Sequence, residues 1–261
     1  MQRRIYSLPR FYDIAFSWDV TSEVEFFISL FKKHVPFEVR HILEPACGTG
    51  RFLRSFPRYG YRITGYDRSQ RMVAYAKRKV AESGYQNDAR VFLDDMVSAN
   101  YPGAFDAAIN SINSIGYLWS DKDVVSHFVN TGDSLKKNGI YIVHLSCAYD
   151  SGLPEAESGD SWSLERDGIH VKTTWRSEKD DPKTKRSHQI CLMEIDDHGR
   201  KIHLEDRHTL RLWFFDDLKK LIHDSEKFEL DTVYDENYQE LSEGTRISGE
   251  LGNLYFVLRA L

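Results

Sequence analysis

Short apolar runs alternate with helix-period patterns through the first half of the chain. HILEPA (41–46) is an apolar run of strand length bounded by a glycine-rich stretch, and it reads as a buried strand. RFLRSF (51–56) sets Phe52, Leu53 and Phe56 on one face and predicts a short helix. YRITGYD (61–67) predicts a second strand. SQRMVAYAKRKV (69–80) predicts a helix whose stripe is Met72, Val73, Ala76 and Val80. ARVFLDD (89–95) and FDAAINS (105–111) read as strands three and four. A helix is expected from Asp121 to Lys137. Ser120 and Asp123 stand at capping-box spacing, Val124, Val125, Phe128 and Val129 form its stripe, and Lys136, Lys137 and Gly139 mark its end. IYIVHLS (140–146) is the fifth strand.

Strands separated by helices need crossover connections, which gives a largely parallel, doubly wound, Rossmann-like α/β sheet. From Tyr149 to Trp213 the pattern changes to period two, as in IHVKTTW, divided by turn-like DDPK (180–183) and DDHG (196–199). This predicts an antiparallel β insertion. FFDDLKKLI (214–222) restores a helix, and FELDTVYD (228–235) and NLYFVLRA (253–260) complete a seven-stranded sheet. The chain thus divides into an N-terminal helical segment or lid (1–40), a binding core (41–148), an insertion on the substrate side (149–213) and the end of the core (214–261).

Composition narrows the function classes. The 261 residues are 41% hydrophobic and 29% charged, ordinary for a globular protein, with a net charge of −5. A chain without a basic excess is not a general phosphate-backbone binder, so no nucleic-acid partner is expected. No apolar run approaches the ~18 residues of a membrane span. The start, MQRRIYSLPRFYD, lacks the apolar region of a secretory signal. Cys47, Cys147 and Cys191 are odd in number and far apart, which argues for reduced thiols and a cytoplasmic location rather than a disulfide framework. No H-E-x-x-H or C-x-x-C spacing occurs, so no metal site is expected.

ILEPACGTGRF (42–52) carries the chemistry. Glu44 ends the first strand, and Gly48 and Gly50 follow in a turn where backbone can approach a ligand closely. Open α/β sheets bind nucleotides at this position. Asp67 ends the next strand about 20 residues on, where a carboxylate can grip ribose hydroxyls. Asp95 and Met96 follow the third strand, near where an adenine would lie. A dinucleotide fingerprint, G-x-G-x-x-G, would need glycine at Leu53, and Glu44 would repel a pyrophosphate. A carboxylate suits a cationic ligand instead. S-adenosylmethionine, with a sulfonium, an ammonium, a ribose and an adenine but no phosphate, fits.

Four segments in order, EPACGTGR (44–51), GYDRSQRM (65–72), FLDDM (92–96) and FDAAINSINSIGYL (105–118), make the chain resemble the class I S-adenosylmethionine-dependent methyltransferases of the small-molecule branch. The resemblance implies that Glu44 and the backbone from Ala46 through Gly48 to Gly50 hold the methionine portion. It implies that Asp67 takes the ribose hydroxyls, that Arg68 and Met72 flank the adenine, and that Asp95 accepts its amino proton while Met96 lends its backbone. Asn110 is then expected beside the transferring methyl. Ala46 stands where many members have glycine and is expected to change little, whereas Asp94, adjacent to Asp95, could exchange roles with it.

Arg-Phe-Tyr-Asp (10–13) precedes the first helical pattern, and related enzymes often fold such an aromatic over the cofactor, which makes Tyr12 a candidate contact. RHTLRLWFFDDLKKL (207–221) resembles the family's closing segment and places His208 near the active-site mouth, a candidate base able to take a proton near neutral pH. Trp162, Trp175 and Trp213 are assigned to packing of the insertion, and His203 to structure or surface. The expected activity is methyl transfer to a nitrogen or oxygen of a small-molecule acceptor. Two other classes stay open: a non-catalytic S-adenosylmethionine-binding regulator, and an NAD-dependent oxidoreductase.

Overall fold

Alternation of buried strands with amphipathic helices produces a seven-stranded sheet. In the computed structural model, which describes residues 4–147 and 159–261, β1 (His41–Pro45), β2 (Arg62–Asp67), β3 (Ala89–Leu93), β4 (Phe105–Asn110) and β5 (Leu135–Ser146) pair in parallel. The closing strands β10 (Phe228–Tyr234) and β11 (Asn253–Ala260) add an antiparallel edge, giving the order β10-β11-β5-β4-β1-β2-β3. The expected start of the insertion, Tyr149, lies outside the described residues.

Helices make two of the crossovers, and one face of each meets the sheet. α3 (Gln70–Glu82) buries Met72, Val73, Ala76 and Val80 as its spacing requires, and the Ser69 hydroxyl accepts from the Met72 amide at its start. α4 (Asp121–Ser134) is capped likewise, Ser120 Oγ accepting from the Asp123 amide at 3.0 Å. Three local expectations are corrected. Residues 51–56 form no α-helix but part of two short 3₁₀ turns, Phe52–Arg54 and Phe56–Tyr59, because Pro57 lacks the amide that a continuing helix would need. α4 ends at Ser134 rather than Lys137. Leu135 already pairs with Phe105, and Lys136 is held by an ion pair to the buried Asp106 at 2.6 Å. Residues 10–13 lie inside α1 (Pro9–Ala15), not before the first helix.

The insertion is a four-stranded antiparallel sheet of β6 (Gly159–Arg166), β7 (Ile169–Asp181), β8 (Arg186–Asp197) and β9 (Arg200–Arg211). One face supplies Ile169, Val171, Cys191, Met193 and Ile195 to a cluster completed by Ile5, Ile14 and Phe16 from the N-terminal segment. The next helix, α2 (Thr21–His34), instead packs Phe27, Leu30 and Phe31 into the main core. Residues before and after about position 18 thus serve different layers. Trp162 and Trp175 pack the insertion as expected, whereas Trp213 is buried in the main core and donates to Asn113 Oδ1 at 3.1 Å. α5 (Phe215–Asp224) returns the chain to that core.

Asp13 fastens the layers together. It is fully buried in α1 and receives Arg54 at 2.8 Å, Arg166 of β6 at 2.6 Å and the Tyr75 hydroxyl of α3 at 3.0 Å. Burial alone would raise its pKa, but the two guanidinium groups outweigh that and hold its carboxyl below the usual range.

Candidate active site

The neighbours of β1 in the sheet, β2 and β4, are reached in opposite directions, so a crevice opens at the carboxyl ends of these strands. The turn leaving β1 borders it. Ala46, Gly48 and Gly50 all have positive φ (56°, 54° and 79°). The Cys47 amide donates to the Tyr66 carbonyl at 2.9 Å, and the Gly48 amide to Asp67 Oδ2 at 3.0 Å, tying the turn to β2. Alanine at 46 therefore matters more than its size suggests. A Cβ in the left-handed region costs about 1–2 kcal/mol, a local strain stored at the site.

Beside the turn is a small recess lined by Glu44, Arg51, Ser111, Ile112 and Tyr12 among others. Glu44 is buried and its Oε2 has no hydrogen-bond partner. Burial pushes its carboxyl up to about 8; Arg51 opposes this and Glu23 adds to it. The loop after β4 forms the opposite wall with two consecutive left-handed residues, Ile112 (φ 50°) and Asn113 (φ 52°). A β-branched residue there is an outlier. His144 holds it: Nδ1 accepts from the Ile112 amide at 3.2 Å and the carbonyl from the Asn113 amide at 2.9 Å. Burial lowers the His144 pKa to about 4, which keeps that ring nitrogen free to accept.

A cleft of about 980 Å³ continues from the recess past β2 and β3 to the insertion, within the size range of small-molecule sites. Asp67, Arg68, Asp95 and Met96 line one end. Tyr6, Tyr117, Asp206 and His208 line the other, and Tyr12 and Gly48 lie between recess and cleft. His208 stacks on Trp175 with centroids 4.8 Å apart. Its Nδ1 is 3.0 Å from the Tyr117 hydroxyl, which meets the Tyr6 hydroxyl at 2.5 Å. Its Nε2 faces Asp206 Oδ2 at 3.6 Å, too far for a hydrogen bond, and is unpartnered. Burial lowers its pKa more than Asp206 raises it.

Residues 42–139 match a family model described as a methyltransferase domain. The chain is 31% identical over 129 residues to YqeM of Bacillus subtilis (strain 168), whose name assigns it to the methyltransferases; the match covers 47% of this chain and 50% of that protein. The chain spans about half the length of the curated relatives it matches. Solved structures extend the likeness of fold. An S-adenosylmethionine-dependent methyltransferase from Clostridium acetobutylicum ATCC 824 superposes with a TM-score of 0.74 at 18% identity, covering 96% of each chain. The sugar N-methyltransferase KedS8 from Streptoalloteichus sp ATCC 53650 gives 0.73 at 19% identity, covering 98% of this chain and 94% of its own. Coverage this wide takes in the antiparallel insertion, which is therefore part of the shared fold.

Within the matched residues, the structure brings Glu44, Ala46, Gly48, Asp67, Arg68, Asp95 and Met96 to recess or cleft, and Tyr12 and His208 join them from outside that stretch. Gly50 shapes the turn without lining either. Asp94 and Asp95 are separated by their bonding. Asp94 accepts from the Tyr101 hydroxyl at 2.8 Å and from the Asp95 amide, whereas Asp95 keeps one oxygen facing the cleft with only Arg68 at 3.9 Å. Two expected residues lie elsewhere. Met72 is buried under α3 and lines neither space. Asn110 is a clamp: Nδ2 donates to the Pro45 carbonyl and Oδ1 accepts from the Ile115 amide, both at 3.1 Å, so its polar groups are spent on the loop. Arg51, Tyr6 and Tyr117 were not anticipated. Arg51 follows the glycine turn directly, a signal present in the sequence. Tyr6 and Tyr117 meet only through packing between distant segments.

Proposed function

We propose that the chain binds S-adenosylmethionine at the carboxyl end of β1 and transfers its methyl group to a nitrogen or oxygen of a small molecule held in the cleft. The observation that carries this reading is the buried Glu44 oxygen with no partner in the recess beside the glycine turn. A buried carboxylate is costly unless a cation or donor meets it, so the site suits a positively charged ligand and not a pyrophosphate. The other residues fit the same group. Asp67 would receive the ribose hydroxyls, Asp95, whose Oδ2 has Arg68 at 3.9 Å, would meet the adenine end, and Tyr12 would cover the turn beside Gly48.

When bound, S-adenosylmethionine supplies an electrophilic methyl on a sulfonium that leaves without protonation. The protein's part is then to orient the acceptor, exclude water and take the acceptor's proton. His208 is suited to the last role. Its lowered pKa keeps the imidazole neutral at pH 7, the Tyr117 hydroxyl fixes its orientation, and the negative charge of Asp206 nearby favours the protonated form once a proton arrives. The structural likeness to a sugar N-methyltransferase makes an amine the first acceptor to try. Incubation with S-adenosylmethionine and panels of amines, amino sugars and phenols, with S-adenosylhomocysteine quantified by mass spectrometry, tests the reading. Acceptor-dependent product is expected. Cofactor binding without turnover on any panel would favour a non-catalytic role.

A further inference from the structure

At the end of the cleft away from Asp67, four polar side chains from three distant segments stand in one row. Asp206 Oδ2 lies 3.6 Å from His208 Nε2, His208 Nδ1 lies 3.0 Å from the Tyr117 hydroxyl, and that hydroxyl lies 2.5 Å from the Tyr6 hydroxyl. A carboxylate oxygen can only accept, so the ring nitrogen turned towards it carries the hydrogen of the neutral imidazole. Nδ1 is then a lone pair that accepts from the Tyr117 hydroxyl, and the Tyr117 oxygen in turn accepts from Tyr6. Both phenol donors thus point towards His208, and the Tyr6 oxygen is the open end of the row on the wall of the cleft.

Tyr6 is fixed from both sides. The Ile5 amide donates to Asp206 Oδ2 at 2.8 Å, and the Ser7 carbonyl accepts from Arg71 Nη1 at 2.9 Å. The Tyr6 ring lies 5.4 Å from that of Tyr12, beside the glycine turn, and 5.7 Å from that of His208. Tyr6 therefore stands between the glycine turn and His208, whose Nε2 is given to Asp206. Burial pushes both phenols well above their usual range, so neither is a base by itself at neutral pH. Resting on the methyl-transfer reading above, we propose that Tyr6 is the residue that touches the acceptor, and that it passes the acceptor's proton through Tyr117 to His208. As the acceptor's lone pair forms the bond to the methyl carbon, the carbon–sulfur bond breaks and leaves its electron pair on sulfur. The acceptor's proton moves to the Tyr6 oxygen, the Tyr6 proton to the Tyr117 oxygen and the Tyr117 proton to His208 Nδ1. Both phenols end neutral, and the imidazolium so formed faces Asp206.

Links in one relay fail together, whereas the losses of independent contacts multiply. Turnover of the panel amine that the wild type methylates fastest is measured in Tyr6→Phe, Tyr117→Phe, His208→Asn and the double variants Tyr6→Phe/His208→Asn and Tyr117→Phe/His208→Asn. Calorimetric affinity for S-adenosylhomocysteine and thermal melts are the controls. Each single variant should lose about 10²–10⁴-fold in turnover, the value of a positioned base, at unchanged cofactor-product affinity. Each double variant should lose no more than the worse of its two singles. Nitrogen-15 spectra of histidine-labelled wild type, assigned against His208→Asn, should show His208 Nδ1 without a proton at pH 7. Full turnover in a folded Tyr6→Phe overturns the inference, as do multiplying losses in a double variant or a proton on Nδ1. Should Tyr6→Phe not fold, the Tyr117→Phe/His208→Asn pair and the spectra decide by the same outcomes. Binding of S-adenosylhomocysteine with no turnover of any panel amine by the wild type would instead remove the transfer reading, and the relay with it.

Discussion

The Gly48 amide donates a 3.0 Å hydrogen bond to Asp67 Oδ2, while Asp67 Oδ1 accepts from the Ser69 amide at 2.8 Å. One carboxylate thus joins the turn after β1 to the start of α3, so the residue expected to meet the ribose also shapes the turn. Asp67→Ala should weaken S-adenosylhomocysteine binding by about 1.5–3 kcal/mol, as for hydrogen bonds to charged groups. Calorimetry on the folded variant checks this, and unchanged affinity would remove Asp67 from the site.

Glu44 predicts a pH dependence. Its folded pKa, about 8, lies above the model-peptide value of 4.5 for a glutamate, so the folded protein holds more protons than the unfolded chain between those limits. Its contribution to stability is fully present below about pH 4.5 and is lost as pH rises through about 8. Glu44→Gln should therefore raise the melting temperature relative to wild type at pH 8 and not at pH 4.5, while weakening cofactor binding. Parallel melts at the two pH values decide. A difference that is the same at both would show that Glu44 is not held protonated.

Ala46→Gly should relieve left-handed strain of about 1–2 kcal/mol, set against about 0.5–1 kcal/mol of added freedom in the unfolded chain. The expected outcome is an unchanged or slightly raised melting temperature. Ala46→Val should lower it.

Asp13→Ala would leave Arg54 and Arg166 without their shared partner where α1, α3 and β6 meet. Removing one member of a buried ionic cluster typically costs about 3–5 kcal/mol. Urea titration should show a loss of that size. A loss below about 1 kcal/mol, the range of surface pairs, would mean that Asp13 does not fasten these layers.

The parts of this molecule that were legible in the sequence are those set by local periodicity. The strand at 41–45, the α3 stripe and two turns of the insertion follow from the local pattern, and the seven-stranded sheet follows from the order of its strands. The helix expected at 51–56 was misread because its apolar spacing was weighed without Pro57. The end of α4 was misread because Lys136 and Lys137 looked like a helix terminus, although Lys136 answers the buried Asp106 from a strand. In the candidate site, Glu44 and Asp67 stand at strand ends and Asp95 two residues beyond one, and all three line the recess or the cleft. Asn110 is at such an end too, but its amide joins the Pro45 carbonyl of β1 to the Ile115 amide in the loop after β4. The Tyr6–Tyr117–His208 contact joins three segments far apart in the chain, and no local pattern encodes it.

The acceptor side gives a separate prediction. His208→Asn and Tyr117→Phe should lower turnover on the true acceptor, His208→Asn by about 10²–10⁴-fold as for loss of a positioned base. Both should leave S-adenosylhomocysteine affinity unchanged. Single-turnover rates and calorimetry together check this. Unchanged turnover in His208→Asn would return His208 to a packing role against Trp175.

The crevice at the end of β1 suits a cationic adenosyl ligand and not a dinucleotide. Calorimetric titration of the purified wild-type protein with S-adenosylhomocysteine and, separately, with NADH tests it most directly. Micromolar, one-to-one binding of S-adenosylhomocysteine and no heat of binding with NADH are expected. Saturable NADH binding without S-adenosylhomocysteine binding would contradict it.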